Sequence, residues 1–276
     1  MKIIGLIIVG LTGLLLIYAT GDFPDWGDPA SPASTYLSTR YIEKTMEDTS
    51  VPNIVTAVLA DYRGFDTMFE TTVIFSAGVV CFFLLRVFEK KTDEEGLLRH
   101  KATGITLRIK GIEKISYSTG EFDRIDNLWT PQDLIITTAC RLLIPFIQLF
   151  ALYVIAHGHH SPGGGFQGGV ILGSSIILLA ISHDLRTSLT RISEKGAGLL
   201  CAVGVFIYAG TGALCLLLGG NFLDYGALSK ILPLDQVSAR SFGILIVEVG
   251  VGIAVMGSMI WIYSNVSSAG RYREGL

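Results

Sequence analysis

Residues 242–263 read Phe-Gly-Ile-Leu-Ile-Val-Glu-Val-Gly-Val-Gly-Ile-Ala-Val-Met-Gly-Ser-Met-Ile-Trp-Ile-Tyr, with Glu248 the one charge. As a helix rising about 1.5 Å per residue, this run is about 33 Å long. That matches the ~30 Å hydrocarbon core of a bilayer. Five more apolar runs follow the same rule: Ile3 to Ala19, Thr71 to Val87, Leu134 to Ala156, Gly165 to Ser182 and Ala197 to Leu218. The first reads as a retained helix rather than a signal peptide, because one charge precedes it and no clear A-x-A site follows. The third is expected to kink or break around Pro145. The prediction is an all-α, polytopic membrane protein with about six transmembrane helices.

Composition agrees. Of 276 residues, 50% are hydrophobic and 16% charged, mean hydropathy is +0.54, and 32 are glycine. Soluble domains average about a quarter charged. Glycine is common where membrane helices approach closely. The net charge of −3 points to no polyanionic partner, so a nucleic-acid binder is excluded. The four cysteines, at 81, 140, 201 and 215, all lie in apolar runs without C-x-x-C spacing. Disulfide, zinc and iron–sulfur readings are therefore weak, and no cofactor is expected.

Loop charge orients the helices. With six spans, one side carries 15 Lys and Arg and the other 5, while Arg141 lies inside the third helix. Both termini are thus expected in the cytoplasm, with the chain in the cell's inner (plasma) membrane. Residues 89–132 form a charged cytoplasmic linker between a two-helix module, 1–88, and a four-helix domain, 133–276. Within the linker, the alternating stretch from Gly104 to Tyr117 suits a short hairpin as readily as a helix. Residues 20–69 face outward. Their apolar piece, Pro52 to Ala60, is too short to span and is expected to form a short interfacial helix or re-entrant segment.

The loop between helices three and four reads His157-Gly-His-His-Ser-Pro-Gly-Gly-Gly-Phe-Gln-Gly-Gly169. Three histidines could bind a transition metal, but no carboxylate or cysteine completes a set, so no metal is assigned. The packing reading is stronger. Ser161, Pro162, Gly163, Gly164, Gly165, Phe166, Gln167, Gly168 and Gly169 form a tight turn running into a helix. Gly165, Gly169 and Gly173 recur on one face of that helix, the small-xxx-small pattern. Gly250, Ala254 and Ser258 repeat the pattern in helix six, and Gly198/Ala202 and Ala209/Ala213 repeat it in helix five. Six helices cannot bury so many small-residue faces, which predicts partner subunits.

Intramembrane ionisable groups are costly and mark function by default. Glu248 sits seven residues into the sixth run, roughly 9 Å from its end. It reads either as an ion or proton relay or as a protonated carboxyl hydrogen-bonded to a neighbouring helix. A second cluster, Asp61-Tyr-Arg63-Gly-Phe-Asp66-Thr-Met-Phe-Glu70, enters helix two. Asp66 and Glu70 share a helical face. Acidic residues in a first turn suit the helix dipole. Two carboxylates and Arg63 exceed what capping needs, so a vestibule that attracts or relays a small cation is preferred, with Arg63 balancing one charge. Catalytic residues are not expected.

Two motifs carry a family resemblance. The run Pro52-Asn-Ile-Val-Thr-Ala-Val-Leu-Ala-Asp-Tyr-Arg-Gly-Phe-Asp-Thr67, continuing to Glu70, resembles a C-terminal part of MrpA, the large component of Mrp-type multisubunit Na+/H+ antiporters. It also resembles the small subunit of membrane-bound hydrogenases. The stretch Gly158 to Gly169 resembles the signature of the MnhB (MrpB) family. Together the two cover about residues 1–88 and 130–265, as if two adjacent subunits were fused. The resemblance implies an integral subunit of a complex I-related assembly that exchanges Na+ and H+, surrounded by lipid and by other membrane subunits. It places Asp66 and Glu70 on the ion path. The alternative is the same module within a hydrogenase-like, redox-driven ion pump. A stand-alone transporter is disfavoured because no inverted repeat is visible.

Overall fold

The computed structural model describes residues 2–87, 95–100, 103, 105–110, 122–125 and 134–268. Six helices are long and apolar enough to cross a membrane. They are α1 (Lys2–Ala19), α4 (Gly64–Val87), α5 (Leu134–Ala156), α6 (Gly165–Ser182), α8 (Glu194–Leu217) and α9 (Gln236–Ser267). Shorter helices are α2 (Ser38–Thr49), α3 (Ile54–Ala57) and α7 (Leu185–Arg191). The chain divides into two compact units, Met1–Asp48 and Thr49–Leu276.

In the first unit, α1 is apolar on all sides and none of its spanning stretch is buried. A helix of this kind suits a hydrocarbon environment. In α2, Arg40 pairs with Asp48 at 3.2 Å and Lys44 with Glu47 at 2.6 Å.

In the second unit α9 is the central helix. It packs against α8, α6, α4 and the turn Tyr225–Lys230. The contacts are made backbone to backbone. A Cβ on Gly169 would stand 2.6 Å from the Gly252 carbonyl oxygen, and one on Gly257 2.7 Å from the Cys201 amide. A Cβ on Gly204 would overlap Ala254 and the Gly250 carbonyl. Such proximity is what small residues give membrane helices. Gly250, Ala254 and Ser258 are buried, as their spacing predicts. In α8 the face named by the spacing is left partly uncovered within the chain, as expected of a face meant for a partner subunit. Ala202 and Ala213 are exposed, while Ala197, Cys201, Gly204 and Tyr208 are buried. Small residues lie on several sides of α8, and the groove offered by Gly250 and Ala254 decides which side is used.

α5 keeps the bounds expected from its apolar run and is continuous through Pro145. Other helices start earlier than their apolar runs. α4 begins at Gly64, seven residues before its apolar run. α9 begins at Gln236, capped by Asp235, whose carboxylate accepts from the Val237 and Ser238 amides at 3.2 Å each. This places Glu248 about 18 Å along the helix from its start, not 9 Å. In the charged segment, β1 (Glu95–His100) pairs antiparallel with β2 (Thr106–Lys110) and with β3 (Phe122–Ile125), in the order β2-β1-β3. The hairpin thus forms with upstream residues 95–100. Residues 111–121 and 126–133, and the basic residues Arg271 and Arg273, lie outside the described residues.

Candidate functional site

The α5–α6 loop holds the site's frame. Gly163 and Gly164 adopt φ of +145° and +138°. Residues with a Cβ avoid this region, so glycine permits the turn after Pro162. Behind the turn, a Cβ on Gly164 would lie 2.5 Å from the Glu248 carboxyl, and one on Gly165 would overlap the Glu248 carbonyl. The glycine run therefore lets the loop lie directly on α9 at the buried carboxylate. Gly164, Gly165, Gly168 and Gly169 are buried, and Pro162, Phe166 and Gln167 are exposed.

The apolar piece from Pro52 to Ala60 docks on this loop. It forms α3, then wider π-helical turns over Val58–Tyr62. Asn53 caps α3 by accepting from the Val55 amide at 3.1 Å. Its side-chain amide donates to the Gly158 and Ser161 carbonyls, both at 2.8 Å, and its main-chain amide donates to the His159 carbonyl at 2.9 Å. The Thr56 hydroxyl donates to the Gly158 carbonyl at 2.9 Å. The two sequence motifs, about a hundred residues apart, thus meet.

Glu248 lies at their junction and is 7% exposed. The Thr56 hydroxyl and the Gly165 amide lie close enough to act on its carboxyl group. Its Oε2 is buried without a hydrogen-bond partner among the described residues. His159 Nδ1 stands 3.9 Å from that oxygen. A cavity of about 50 Å³ beside Glu248 is also lined by Thr56, Thr67, Gln167 and Tyr208. A second, larger cavity of about 440 Å³ is lined by His157, His159, His160, Ser238 and Ser241. His159 Nε2 bonds to the Ser241 carbonyl at 3.0 Å. Burial holds the His159 pKa below the ordinary histidine value, opposed by the bond to Ser241.

Asp61 is also buried, and its partner is Arg240 on α9. The guanidinium donates to both carboxylate oxygens, at 2.9 and 2.6 Å. This forked pairing is the strong geometry for arginine and a carboxylate. Two buried tyrosines lie near the acidic groups. Tyr208 donates to the Gly64 carbonyl at 2.8 Å and Tyr225 to the Ala60 carbonyl at 2.9 Å. Asp61, Glu70 and Glu248 all act electrostatically on the Tyr208 phenol. Burial pushes the Tyr225 phenol up, and Tyr208 and Asp61 add to it.

Asp66 and Glu70 lie apart from Glu248. Arg63 Nε donates to Asp66 at 2.6 Å, as expected from their spacing, and that pair is half exposed. Glu70 is exposed on α4. The sequence did not reveal Arg240, His159, Tyr208 or Tyr225 as members of the site. Gln148, by contrast, makes an ordinary structural bond to Ser175 at 3.2 Å. Among the described residues no group of three or more His, Cys, Asp or Glu is placed to hold a metal ion.

Residues 135–261, the α5–α9 region that carries the glycine loop and Glu248, match a family described as a domain related to the MnhB subunit of Na+/H+ antiporter. Over 133 residues the chain is 36% identical to the B-type Na+/H+ antiporter subunit of Bacillus subtilis (strain 168), covering 45% of this chain and 90% of that protein. The chain belongs to the MnhB family. A putative antiporter subunit mnhB2 of Staphylococcus aureus (strain Newman) is 29% identical, with 46% of this chain and 94% of that protein covered. Residues 29–101 match a second family, MbhE, described as an MBH subunit.

Solved structures share the fold of this MnhB-family chain. One is a chain of the membrane-bound sulfane sulfur reductase, an archaeal respiratory membrane complex, with TM-score 0.57 and 24% identity over 96% of this chain and 97% of that one. Another is a chain of the Mrp complex from Dietzia sp. DQ12-45-1b, with TM-score 0.59 and 23% identity over 97% of this chain and 26% of that one. The MnhB-family chain is a multi-pass membrane protein.

Proposed function

We propose that this MnhB-family chain is a membrane subunit of a multisubunit module that exchanges Na+ and H+, and that it contributes both to the ion path and to assembly. The observation that carries this is the docking of the acidic segment onto the glycine loop. It gathers Asp61, Arg240, Tyr208 and Glu248 into one buried polar cluster inside an otherwise apolar bundle. Charged and polar groups are rare at such depth and line ion or proton routes when they occur. Asp66, Glu70 and Arg63 form the exposed end of that route, where a cation is collected.

In this reading residues 1–88 and 133–276 are two subunit-like modules joined by the charged segment 89–132. The charge bias of the loops supports cytoplasmic termini. The family supports the inner, or plasma, membrane as its location and other membrane subunits as its partners. A second reading sets the same module in a redox-driven pump, and it draws on the match of residues 29–101 to the MbhE family, an MBH subunit. Tagging the chain, extracting it in mild detergent and identifying the co-purifying chains separates the two. Antiporter-like subunits alone support exchange, and added iron–sulfur chains support the redox-driven pump. A stable monomer without partners would overturn both.

A further inference from the structure

We infer that His159 is the proton carrier between the Glu248 carboxyl and the vestibule at the α5–α6 loop. The inference rests on the ion-path reading of Glu248 and adds the group that connects it to water. Among the described residues, Glu248 Oε2 is buried and unpartnered, and the titratable nitrogen that stands near it is His159 Nδ1, 3.9 Å away. The other ring nitrogen faces the Ser241 carbonyl at 3.0 Å. A carbonyl only accepts, so Nε2 carries the ring's proton when the imidazole is neutral. That tautomer leaves the Nδ1 lone pair toward Glu248. The histidine is thus set as an acceptor on the carboxyl side and held there by the Ser241 bond.

His159 and Glu248 border one each of the two spaces that must communicate. His159 lines the cavity of about 440 Å³ together with His157 and His160. Its carboxyl partner lines the cavity of about 50 Å³. By the ~10–15 Å³ that one water needs, the smaller cavity has room for a few water molecules. A gap of 3.9 Å is too long for a direct hydrogen bond and is one that a bridging water or a small ring movement closes. The step is a proton transfer without other chemistry. Glu248 Oε2–H gives its proton to Nδ1, leaving a carboxylate beside an imidazolium. The ring then turns Nδ1 to the vestibule, gives that same proton to water there and returns as the neutral Nε2–H ring to the Ser241 carbonyl. The reverse sequence loads the carboxyl.

The charged and titratable groups around this pair come from each packed element. His157 and His160 lie in the same loop as His159. Tyr208 comes from α8, with Asp61, Glu70 and Tyr225 acting on it. Arg240, one helical stretch away on α9, is bound to Asp61. Among the described residues, positive charge on His159 therefore meets one carboxylate within 4 Å, that of Glu248.

The test uses the full complex in liposomes, with the histidines isotope-labelled and their rings titrated by solid-state NMR. His159 is assigned by the signal lost in H159Q, and cation-driven proton flux is followed against pH in parallel. An opposite charge within about 4–6 Å shifts a pKa by roughly one unit or more. E248Q is therefore expected to lower the His159 midpoint by about one pH unit. H159Q, whose amide can still donate to Ser241, is expected to assemble, to lose at least about tenfold of the flux, and to flatten its pH profile. An unmoved ring midpoint in E248Q overturns the relay, as does an unchanged flux profile in H159Q. If H159Q fails to assemble, the E248Q titration decides alone, with His159 then assigned by site-specific labelling. Absence of cation-coupled flux in the wild-type complex counts against the antiporter reading itself, while the ring titration still judges the relay.

Discussion

The buried carboxylates beside and on α9, Asp61 and Glu248, and those of α4 are handled in opposite ways. Asp61 is gripped by two nitrogens of a guanidinium from α9, and Glu248 is sealed under a glycine loop that leaves space for little but water. Asp66 has only its neighbour Arg63, half exposed, and Glu70 is exposed on the same helical face. The bundle therefore encloses its interior polar site by itself and leaves the α4 pair open. Under the proposed ion path these open acidic groups would meet ions or the polar groups of another subunit. The largest expected effect follows from that contrast. Replacing both, Asp66→Asn with Glu70→Gln, should abolish cation-coupled proton flux in vesicles while the subunits still co-purify in normal amounts. Wild-type flux from this double variant would remove the pair from the ion path. Loss of co-purification would make it an assembly contact instead.

The interior is expected to respond through packing. At Gly165 an added methyl has no room, because it would run into the Glu248 main chain rather than a flexible side chain. Overpacking of this kind costs about 1–3 kcal/mol, and Gly165→Ala should lie at the top of that range and lower the melting temperature of the purified complex. Gly5 is the contrast within the same chain, because nothing lies within 4 Å of a Cβ there. Gly5→Ala should leave melting unchanged or raise it slightly, since alanine is the better helix former by roughly 1 kcal/mol. Equal losses at the two positions would mean that a partner subunit packs against Gly5 as tightly as α9 packs against Gly165.

Next in size is the Asp61–Arg240 pair. The carboxylate is 5% exposed and the guanidinium 31%. Breaking a fully buried pair costs about 3–5 kcal/mol, and the partial exposure of Arg240 reduces this to about 2 kcal/mol for Asp61→Asn. Adding Arg240→Gln should recover part of the loss in a double-mutant cycle. Additive losses would show that the two residues act separately and that the interior site is not a coupled unit.

These residues also mark where the sequence is readable. Apolar run length is a one-dimensional property, so all six spans are visible in it, and their ends differ from the helix ends only where polar caps add turns. α9 is the clearest case. Gln236, Ser238 and Arg240 are polar, so a hydropathy reading starts the helix at Phe242 and puts Glu248 too near its end. The glycine loop is legible as a turn because Pro162 and three glycines have little other use. Its target is not, since only the folded bundle places it on Glu248. Asp61 and Arg240 are 179 residues apart, and nothing local links them. The small-residue faces fall between these extremes. Spacing finds the face of α9, which is central, but α8 has several candidate faces and only its partner selects one. His159 looks like one of three loop histidines until the fold buries it beside a carboxyl.

The smallest expected effect tests whether the start of α9 matters to that interior. Asp235 accepts from the amides of Val237 and Ser238, and an N-cap of this type is worth about 1 kcal/mol against alanine. Asp235→Ala should lower stability by that amount, and Asp235→Asn, an equally good cap, should nearly restore it. Residues 240, 244 and 248 follow at intervals of four, on one face of the helix. Fraying the first turn therefore loosens Arg240 before it can reach Glu248. If the cap acts through Arg240, its removal should cost less in an Asp61→Asn background than in the wild type, because the pair it supports is already gone. If the two losses add within about 0.3–0.5 kcal/mol, the limit for independent sites, the cap only ends a helix. The polar cluster would then be held by the glycine loop and α3 alone.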